Sequence, residues 1–400
     1  MKRILIFSHA MEIGGAEKAL LGLLESIDTT KYIVDLFLMH HSGELMKYIP
    51  DTINLLPEIS QYADLAVPII DVIKKGHFKI AFARYKGKTA AKKRVDELKL
   101  GDNDVAIEYS HKFTEKYMPI ISDVEYDLAV SFLTPHYFVA NKVKAKEKVA
   151  WIHTDYSMVG MDKDSQFQMY KSYDKIVSIS DSAKDLFIKL FPVMRNNIIT
   201  IQNILPEMYI KSMTDAFLGE TEIPLDGSIR LLSIGRLCTA KNFDNVPEIC
   251  MLIRNKGINV KWYIIGYGGC EQLIKDKIAE FSMQDYVIVL GKKENPYPYI
   301  KTCDIYVQPS RYEGRCVSVV EAQVLHKPVI ITNYPTSPSQ LCDGYDGVIV
   351  PLENEKCAEG IVSVIKDKNL QKKLIENTKK TDYCNKKEIK KLYQLMELNI

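Results

Sequence analysis

Four hundred residues make two to three ordinary domain lengths, and a composition of 46% hydrophobic and 26% charged residues excludes a disordered, collagen-like or coiled-coil chain. Fifty-three Lys and Arg against 51 Asp and Glu leave a net charge of +2, without the basic surplus of a dedicated nucleic-acid binder. No stretch approaches the ~18 apolar residues of a membrane span, and the apolar run in Met1–Ser8 is too short for a signal peptide. All 8 cysteines lie between Cys238 and Cys384, in no C-x-x-C pair and partly inside apolar runs. They read as reduced, packed thiols of a cytoplasmic protein rather than as disulfides or zinc ligands.

Short apolar runs alternate with helical patterns from end to end, the signature of parallel sheets built from βαβ units. In the first half, strands are expected near residues 4–7, 34–39, 127–133, 149–152, 175–179 and 198–201. The loop after the first strand carries Gly14 and Gly15 at the start of a helical pattern, where backbone N–H groups can approach an anionic group closely. It lacks the G-x-G-x-x-G spacing of a dinucleotide site, and Lys86-Gly-Lys-Thr89 is no phosphate-binding P-loop because Phe82 stands where the first glycine belongs. From Lys74 to Arg94 there are nine Lys or Arg and no acid, with Ile73, Phe78, Ile80, Phe82 and Tyr85 interleaved. That segment reads either as a face for an anionic membrane surface or as a solvated basic helix. Residues 1–206 hold 27 basic and 26 acidic side chains, so without this segment the region is net negative by eight. Asp102-Asn-Asp104 and Asp162-Lys-Asp164 follow no strand and read as solvated loops, not as a metal-binding D-x-D. His153, in Trp151-Ile-His-Thr-Asp155, does follow one.

Residues 205–228 carry Pro206, Gly219, Pro224 and Gly227 with weak periodicity, which puts a boundary between a domain of residues 1–206 and one of 207–385. The last helical stretch, 386–400, is open between the two, packing back on the first domain being one arrangement. Strands resume near 230–234, 261–265, 287–290, 304–308, 329–332 and 348–350. The loop Gly235–Asn242 presents Arg236 and Lys241, two cations suited to a pyrophosphate, and Gly266-Tyr-Gly-Gly269 is a second glycine-rich turn suited to close backbone approach. Tyr297 and Tyr299 follow in a Pro-rich loop, as candidates for a base site or for packing. In Arg311–Gln323, Gly314 should keep Glu313 on a loop while Ser318 opens a helix with Glu321 in its first turn. The two carboxylates then flank a helix N-terminus and can accept paired sugar hydroxyls. Ser318-x-x-Glu321 also has the form of a capping box. Two doubly wound, Rossmann-like domains bind ligands at the carboxyl ends of their strands, and two such domains facing each other make a cleft.

Gly14-Gly-Ala-Glu17 after the first strand, Gly235-Arg236 with Lys241 opening the second domain, and the E-x7-E pair between Glu313 and Pro328 resemble, in order and spacing, a family 4 glycosyltransferase of the kind that builds bacterial surface polysaccharides. The resemblance spans nearly the whole chain. It implies the GT-B fold, two Rossmann-like domains facing an interdomain cleft, and metal-independent transfer of a sugar from a nucleotide diphosphate donor, a UDP-sugar foremost, with retention of anomeric configuration. Carried over by residue, Arg236 and Lys241 contact the donor pyrophosphate, Glu321 holds the ribose hydroxyls and Glu313 addresses the transferred hexose. The amides near Ser318 and Val319 contribute, as do Gly14, Gly15 and Gly266, and His153 stands against the donor sugar. The implied acceptor is a lipid-linked glycan, reached from the inner face of the plasma membrane. Many relatives carry an aromatic residue and a proline after the Glu-Gly, where this chain has Arg315, Cys316 and Val317. A GT-B sugar-nucleotide epimerase and a non-catalytic partner of another transferase remain the alternatives.

Overall fold

The computed structural model describes residues 1–100, 104–153, 160–215, 222–313 and 316–397. Asp102, Asp155, Gly219, Gly314 and Arg315, named above, lie outside them. The chain divides into two compact units, Met1–Pro206 joined by Asn385–Ile400, and Glu207–Cys384.

The first unit is a seven-stranded parallel sheet of order β3-β2-β1-β4-β5-β6-β7. Its strands are β1 (Lys2–Ser8), β2 (Tyr32–Leu38), β3 (Asn54–Leu55), β4 (Glu125–Ser131), β5 (Lys144–Ile152), β6 (Lys175–Ser178) and β7 (Ile198–Thr200). Ile4, Leu5, Ile6 and Phe7 are all essentially inaccessible, on both faces of the sheet. That is why they read as one apolar run rather than an alternation, since crossover helices cover both faces of a parallel sheet. Gly22 lets the helix Gly15–Ser26 lie against the backbone of Ile204 and Leu205, where a Cβ would come within 2.1 Å of the Ile204 carbonyl oxygen. The C-terminal segment belongs to this unit: Tyr393 stacks on Tyr32 at 4.4 Å between ring centroids, and Lys2 Nζ donates to the Met396 carbonyl at 2.9 Å.

The second unit has six parallel strands in the order β10-β9-β8-β11-β12-β13. They are β8 (Ile229–Ile234), β9 (Val260–Ile265), β10 (Val287–Gly291), β11 (Ile305–Gln308), β12 (Val329–Thr332) and β13 (Val348–Val350). All twelve strands expected from the sequence are present. The additional one, β3, is a two-residue edge strand, too short to carry a pattern. In both sheets the order reverses beside the first strand, between β1 and β4 and between β8 and β11. Loops leaving the carboxyl ends of such neighbours diverge and open a crevice, the usual ligand position in doubly wound sheets.

Candidate active site

The second unit's crevice brings together the loops after β8 and β11. Lys241 ends a short 3-10 turn, Thr239–Lys241, and its stem folds over Gly235, where even a Cβ would lie 3.0 Å from Lys241 Cε. Its ammonium reaches across the crevice to Glu313 Oε1 at 2.5 Å, with Cys316 Sγ 3.7 Å away. Burial pulls the Lys241 pKa down, but Cys316 and Glu313 outweigh it and the net shift is upward, keeping the ammonium charged.

Glu313 is held on several sides. Ser310 Oγ donates to the same Oε1 at 2.7 Å, and Thr336 Oγ1 donates to the Glu313 carbonyl at 2.6 Å. Ser310 in turn accepts from Gln308 Nε2 at 2.9 Å, and the Gln308 Oε1 meets the Tyr306 hydroxyl at 2.9 Å. Tyr306, Gln308 and Ser310 alternate along β11 and its extension, so the two-residue period of a strand puts all three on one face, leading to the carboxylate. Arg311 fixes the loops to each other: it grips Asp244 through two bonds of 2.8 and 2.7 Å and donates to the Thr239 carbonyl at 2.7 Å. Neither the ladder nor the Arg311 clamp was anticipated. The alternation Tyr-x-Gln-x-Ser was the available signal for the first, and the second had none.

The helix Val317–Val324 starts at the crevice with Cys316 as its N-cap. This corrects two expectations. There is no capping box, because Ser318 already lies inside the helix and its hydroxyl donates to the Ile234 carbonyl at 3.1 Å while meeting Tyr306 at 2.8 Å. Nor is Glu321 in the first turn; it lies one turn on, buried, accepting from the Tyr297 hydroxyl at 2.8 Å. Tyr297 is therefore packed in the short helix Tyr297–Thr302, with its ring against Tyr209, and acts on Glu321 instead of opening to solvent. Tyr299 is buried as well and donates to Glu222. Val319 is fully buried.

Arg236 is exposed and has no ion pair or hydrogen bond among the described residues. Gly266 serves packing: with φ at +157°, its missing Cβ leaves room for the Gly235 carbonyl oxygen, which would otherwise be 1.9 Å away. Gly268 does the same for Leu237, so the second glycine-rich turn supports the Lys241 loop from beneath. Lys241, Glu313 and Ser318 are thus brought together, Glu321 stands one helical turn away, and Arg236 projects outward.

Gly14, Gly15 and His153 belong to the first unit. Gly14 is the N-cap of the helix Gly15–Ser26, and the Glu17 carboxylate folds over it: a Cβ at Gly14 would come within 2.0 Å of Glu17 Oε2. Burial, with Glu12 nearby, raises the Glu17 pKa, although its own backbone N–H counteracts this. The helix N-terminus expected to face an anion already carries one from its own chain.

His153 follows β5 in a nest of rings, 4.5 Å from Phe132 and 6.4 Å from Trp151 between centroids. Burial lowers its pKa to about 4, so the ring is neutral at pH 7. It has company that the sequence did not suggest: His9 after β1, His136 beyond β4 and His111 from the helix Val105–Thr114. Burial lowers His9 to about 4, His136 to about 3 and His111 well below its usual value, and the neighbouring rings disfavour one another's protonation. His9 and His111 lie 5.6 Å apart. Each of the four has a buried ring nitrogen with no hydrogen-bond partner among the described residues.

Asp162 is no solvated loop. It is buried, caps the helix Lys163–Tyr170, accepts a two-pronged bond from Arg94 at 2.8 and 3.1 Å and takes the Tyr109 hydroxyl at 2.7 Å. Burial pushes its pKa up, but Arg94 and Tyr109 prevail and hold it at about 2.

The sequence comparison adds to this geometry. The family described as Glycosyl transferases group 1 matches residues 221–381, the region that contains Arg236, Lys241, Glu313 and Glu321. In sequence, residues 221–381 resemble a group 1 glycosyl transferase domain. The chain is similar to the amylovoran biosynthesis glycosyltransferase AmsK of Erwinia amylovora, 28% identical over 161 residues that make up 38% of each chain. It also resembles the capsular polysaccharide biosynthesis glycosyltransferase CapM of Staphylococcus aureus, 29% identical over 180 residues and 44% of each chain. The matched region thus spans less than half the length of either relative. Over 99% of the chain the fold is that of S. aureus TarM, solved with fondaparinux, alpha-GlcNAc-glycerol and UDP, at a TM-score of 0.64 and 14% identity, the match covering 100% of the TarM chain. The glycosyl transferase domain and the first unit together have the two-sheet GT-B fold.

Proposed function

We propose that the chain is a retaining glycosyltransferase of surface polysaccharide biosynthesis, moving a hexose or related sugar from a nucleotide diphosphate sugar, with UDP as the favoured nucleotide, to a lipid-linked glycan. One observation carries this reading: the Lys241–Glu313 pair at the switch point of a group 1 domain, held by Ser310 beside the helix that begins at Val317. In this reading Arg236 and Lys241 hold the diphosphate and Glu321, restrained by Tyr297, holds the ribose. Glu313 takes the hexose, the amides at Ser318 and Val319 assist, and His153 meets the donor sugar as a neutral imidazole. The bond from the anomeric carbon to the phosphate oxygen breaks while the acceptor oxygen bonds on the same face, and the acceptor proton passes to the departing phosphate. Lys241 and Arg236 stabilise the charge that gathers there.

No metal is needed in this reading, and Asp162, engaged by Arg94 and Tyr109, is not available to hold one. Gly14 and Gly15 are assigned to the phosphate only with Glu17 displaced or protonated. The polysaccharide role is drawn from AmsK and CapM, and the choice of UDP from the TarM complex. The place of action is the cytoplasmic face of the plasma membrane, reached through the segment from Lys74 to Arg94, without any part for nucleic acid.

The test is turnover of a panel of nucleotide sugars by the full chain, measured as release of nucleoside diphosphate with and without EDTA. Turnover that Glu313→Gln abolishes and EDTA leaves intact supports the reading. Turnover that persists in Glu313→Gln, or that requires Mn²⁺, overturns it.

A further inference from the structure

Burial of Tyr297 and Tyr299 takes both rings away from a nucleotide base, yet the same sheet edge exposes another aromatic side chain. Tyr267, in the turn after β9, is 61% exposed. In Gly266-Tyr-Gly-Gly269 it alone carries a side chain. Close backbone approach fixes that turn: a Cβ on Gly268 would lie 2.5 Å from the Leu237 carbonyl oxygen, and the Leu237 N–H donates to the Tyr267 carbonyl at 2.9 Å. The glycines on both sides therefore hold a stiff backbone from which the ring projects.

The hydrogen-bond ladder of the sheet continues past the strand ends. Gly235 N–H donates to the Ile265 carbonyl at 3.0 Å and Gly266 N–H to the Gly291 carbonyl at 2.9 Å. The residues that follow, Arg236, Tyr267 and Lys292, thus stand on three neighbouring chains, those of β8, β9 and β10, at about the 4.8 Å spacing of strands. All three are exposed. Lys293 is tied to Glu222 at 2.7 Å, whereas Lys292 pairs with no carboxylate among the described residues and holds its Nζ 5.5 Å from the centre of the Tyr267 ring. Lys241 and Glu313 follow β8 and β11, on the other side of Arg236. From Lys292 the chain runs into the helix Tyr297–Thr302, whose Tyr297 hydroxyl holds Glu321. An aromatic ring is therefore set beside the cations assigned to the diphosphate and one loop away from the carboxylate assigned to the ribose. Tyr312, 59% exposed, follows β11 next to Glu313, at the opposite end of this row.

We propose that Tyr267 is the platform on which the base of a nucleoside diphosphate stacks, with Lys292 beside its ring. This assignment deepens the reading of the crevice as a nucleotide-sugar site, on which it rests. Arg236 and Lys241 can hold a diphosphate but offer nothing to the far end of the nucleotide. Every base has a flat π face, and stacking on an aromatic side chain adds affinity there without reading the edge of the base. A tyrosine has few rotamers to lose, and one preset by its glycine turn loses least on binding. Lys292 contributes through its charge, close to both the ring and the base upon it.

The experiment titrates the full chain with UDP, GDP, ADP and CDP by calorimetry. For whichever of the four binds wild type, Tyr267→Ala is expected to weaken affinity about tenfold and Lys292→Ala about threefold, while Tyr267→Phe stays within about twofold of wild type. In Tyr267→Trp, the new indole should be quenched by that nucleotide and left unchanged by inorganic pyrophosphate. Wild type, with its buried Trp151 and Trp262, supplies the background to subtract. Unchanged melting temperatures identify folded variants, since both side chains are exposed. Equal affinity in wild type and Tyr267→Ala, or nucleotide bound to Tyr267→Trp without quenching, overturns the assignment and leaves the reading of the crevice standing. A wild-type chain that binds none of the four overturns that reading and the assignment with it.

Discussion

The carboxyl edges of the two sheets share a topology and differ in charge. At the second, β8 and β11 deliver a charged pair, Lys241 and Glu313, held by serine, threonine and arginine side chains. The first collects His9, His111, His136 and His153, all neutral at pH 7 because burial opposes their protonation. The two edges therefore suit different chemistry. An ammonium kept charged beside polar donors fits an anionic leaving group, whereas neutral imidazoles among aromatic rings fit an uncharged, hydroxyl-bearing surface.

The sharpest way to separate the edges is acid. A histidine whose folded pKa is depressed takes up its proton in the unfolded state first. Its contribution to stability is complete above about pH 6.5 and falls away toward pH 4, by at most about 1.4 kcal/mol per pH unit for each ring. Four such rings act together, so the first unit should lose stability steeply below pH 6.5. The protein carries 2 tryptophans, Trp151 in the first unit and Trp262 in the second. Urea unfolding of single-tryptophan variants reports each unit separately, and equal slopes with pH for both would break the comparison.

Next in size is Lys241→Ala. A loss of kcat/KM of about 10², equivalent to about 2.7 kcal/mol of transition-state stabilisation, is expected in steady-state assays; near-wild-type turnover would remove the charged edge from the chemistry. Ser310→Ala takes one donor from Glu313 and should lower kcat about tenfold with little change in donor KM, while Ser310→Thr restores most of it. A fall in melting temperature with kcat intact would mark Ser310 as structural only. The smallest effect belongs to Arg311→Lys, which loses the two-pronged grip on Asp244 and should cost about 1 kcal/mol of stability by thermal unfolding.

Much of the second edge was legible from residue types alone. Lys241, Glu313 and Ser318 follow strands or open a helix, and the structure joins them around one crevice. Tyr297 shows the limit: the sequence marked it as a loop aromatic, yet its ring is buried and its hydroxyl restrains Glu321. The first edge was far less legible. His153 was marked because it follows a strand, but His9, His111 and His136 come from distant elements and carry no local pattern. Gly14 and Gly15 pointed to an anion, and the anion that lies over Gly14 is Glu17 of the same helix.

Hydrophobic periodicity is a local property, and by itself it determined the alternating α/β plan, twelve of the thirteen strands found among the described residues and the loops where chemistry was to be sought. Only tertiary structure decided which side chains meet. Lys241 and Glu313 are 72 residues apart, Arg94 and Asp162 are 68 apart, and no spacing rule along the chain reports such pairs. The same holds for charge. Counting basic residues from Lys74 to Arg94 suggested a cationic face, but Arg84 turns inward onto the Asp64 and Val67 carbonyls, Arg94 onto Asp162 and Lys75 onto Asp64. A side chain's type is written in the sequence, whereas its partner, and with it its charge and its availability, is set by packing.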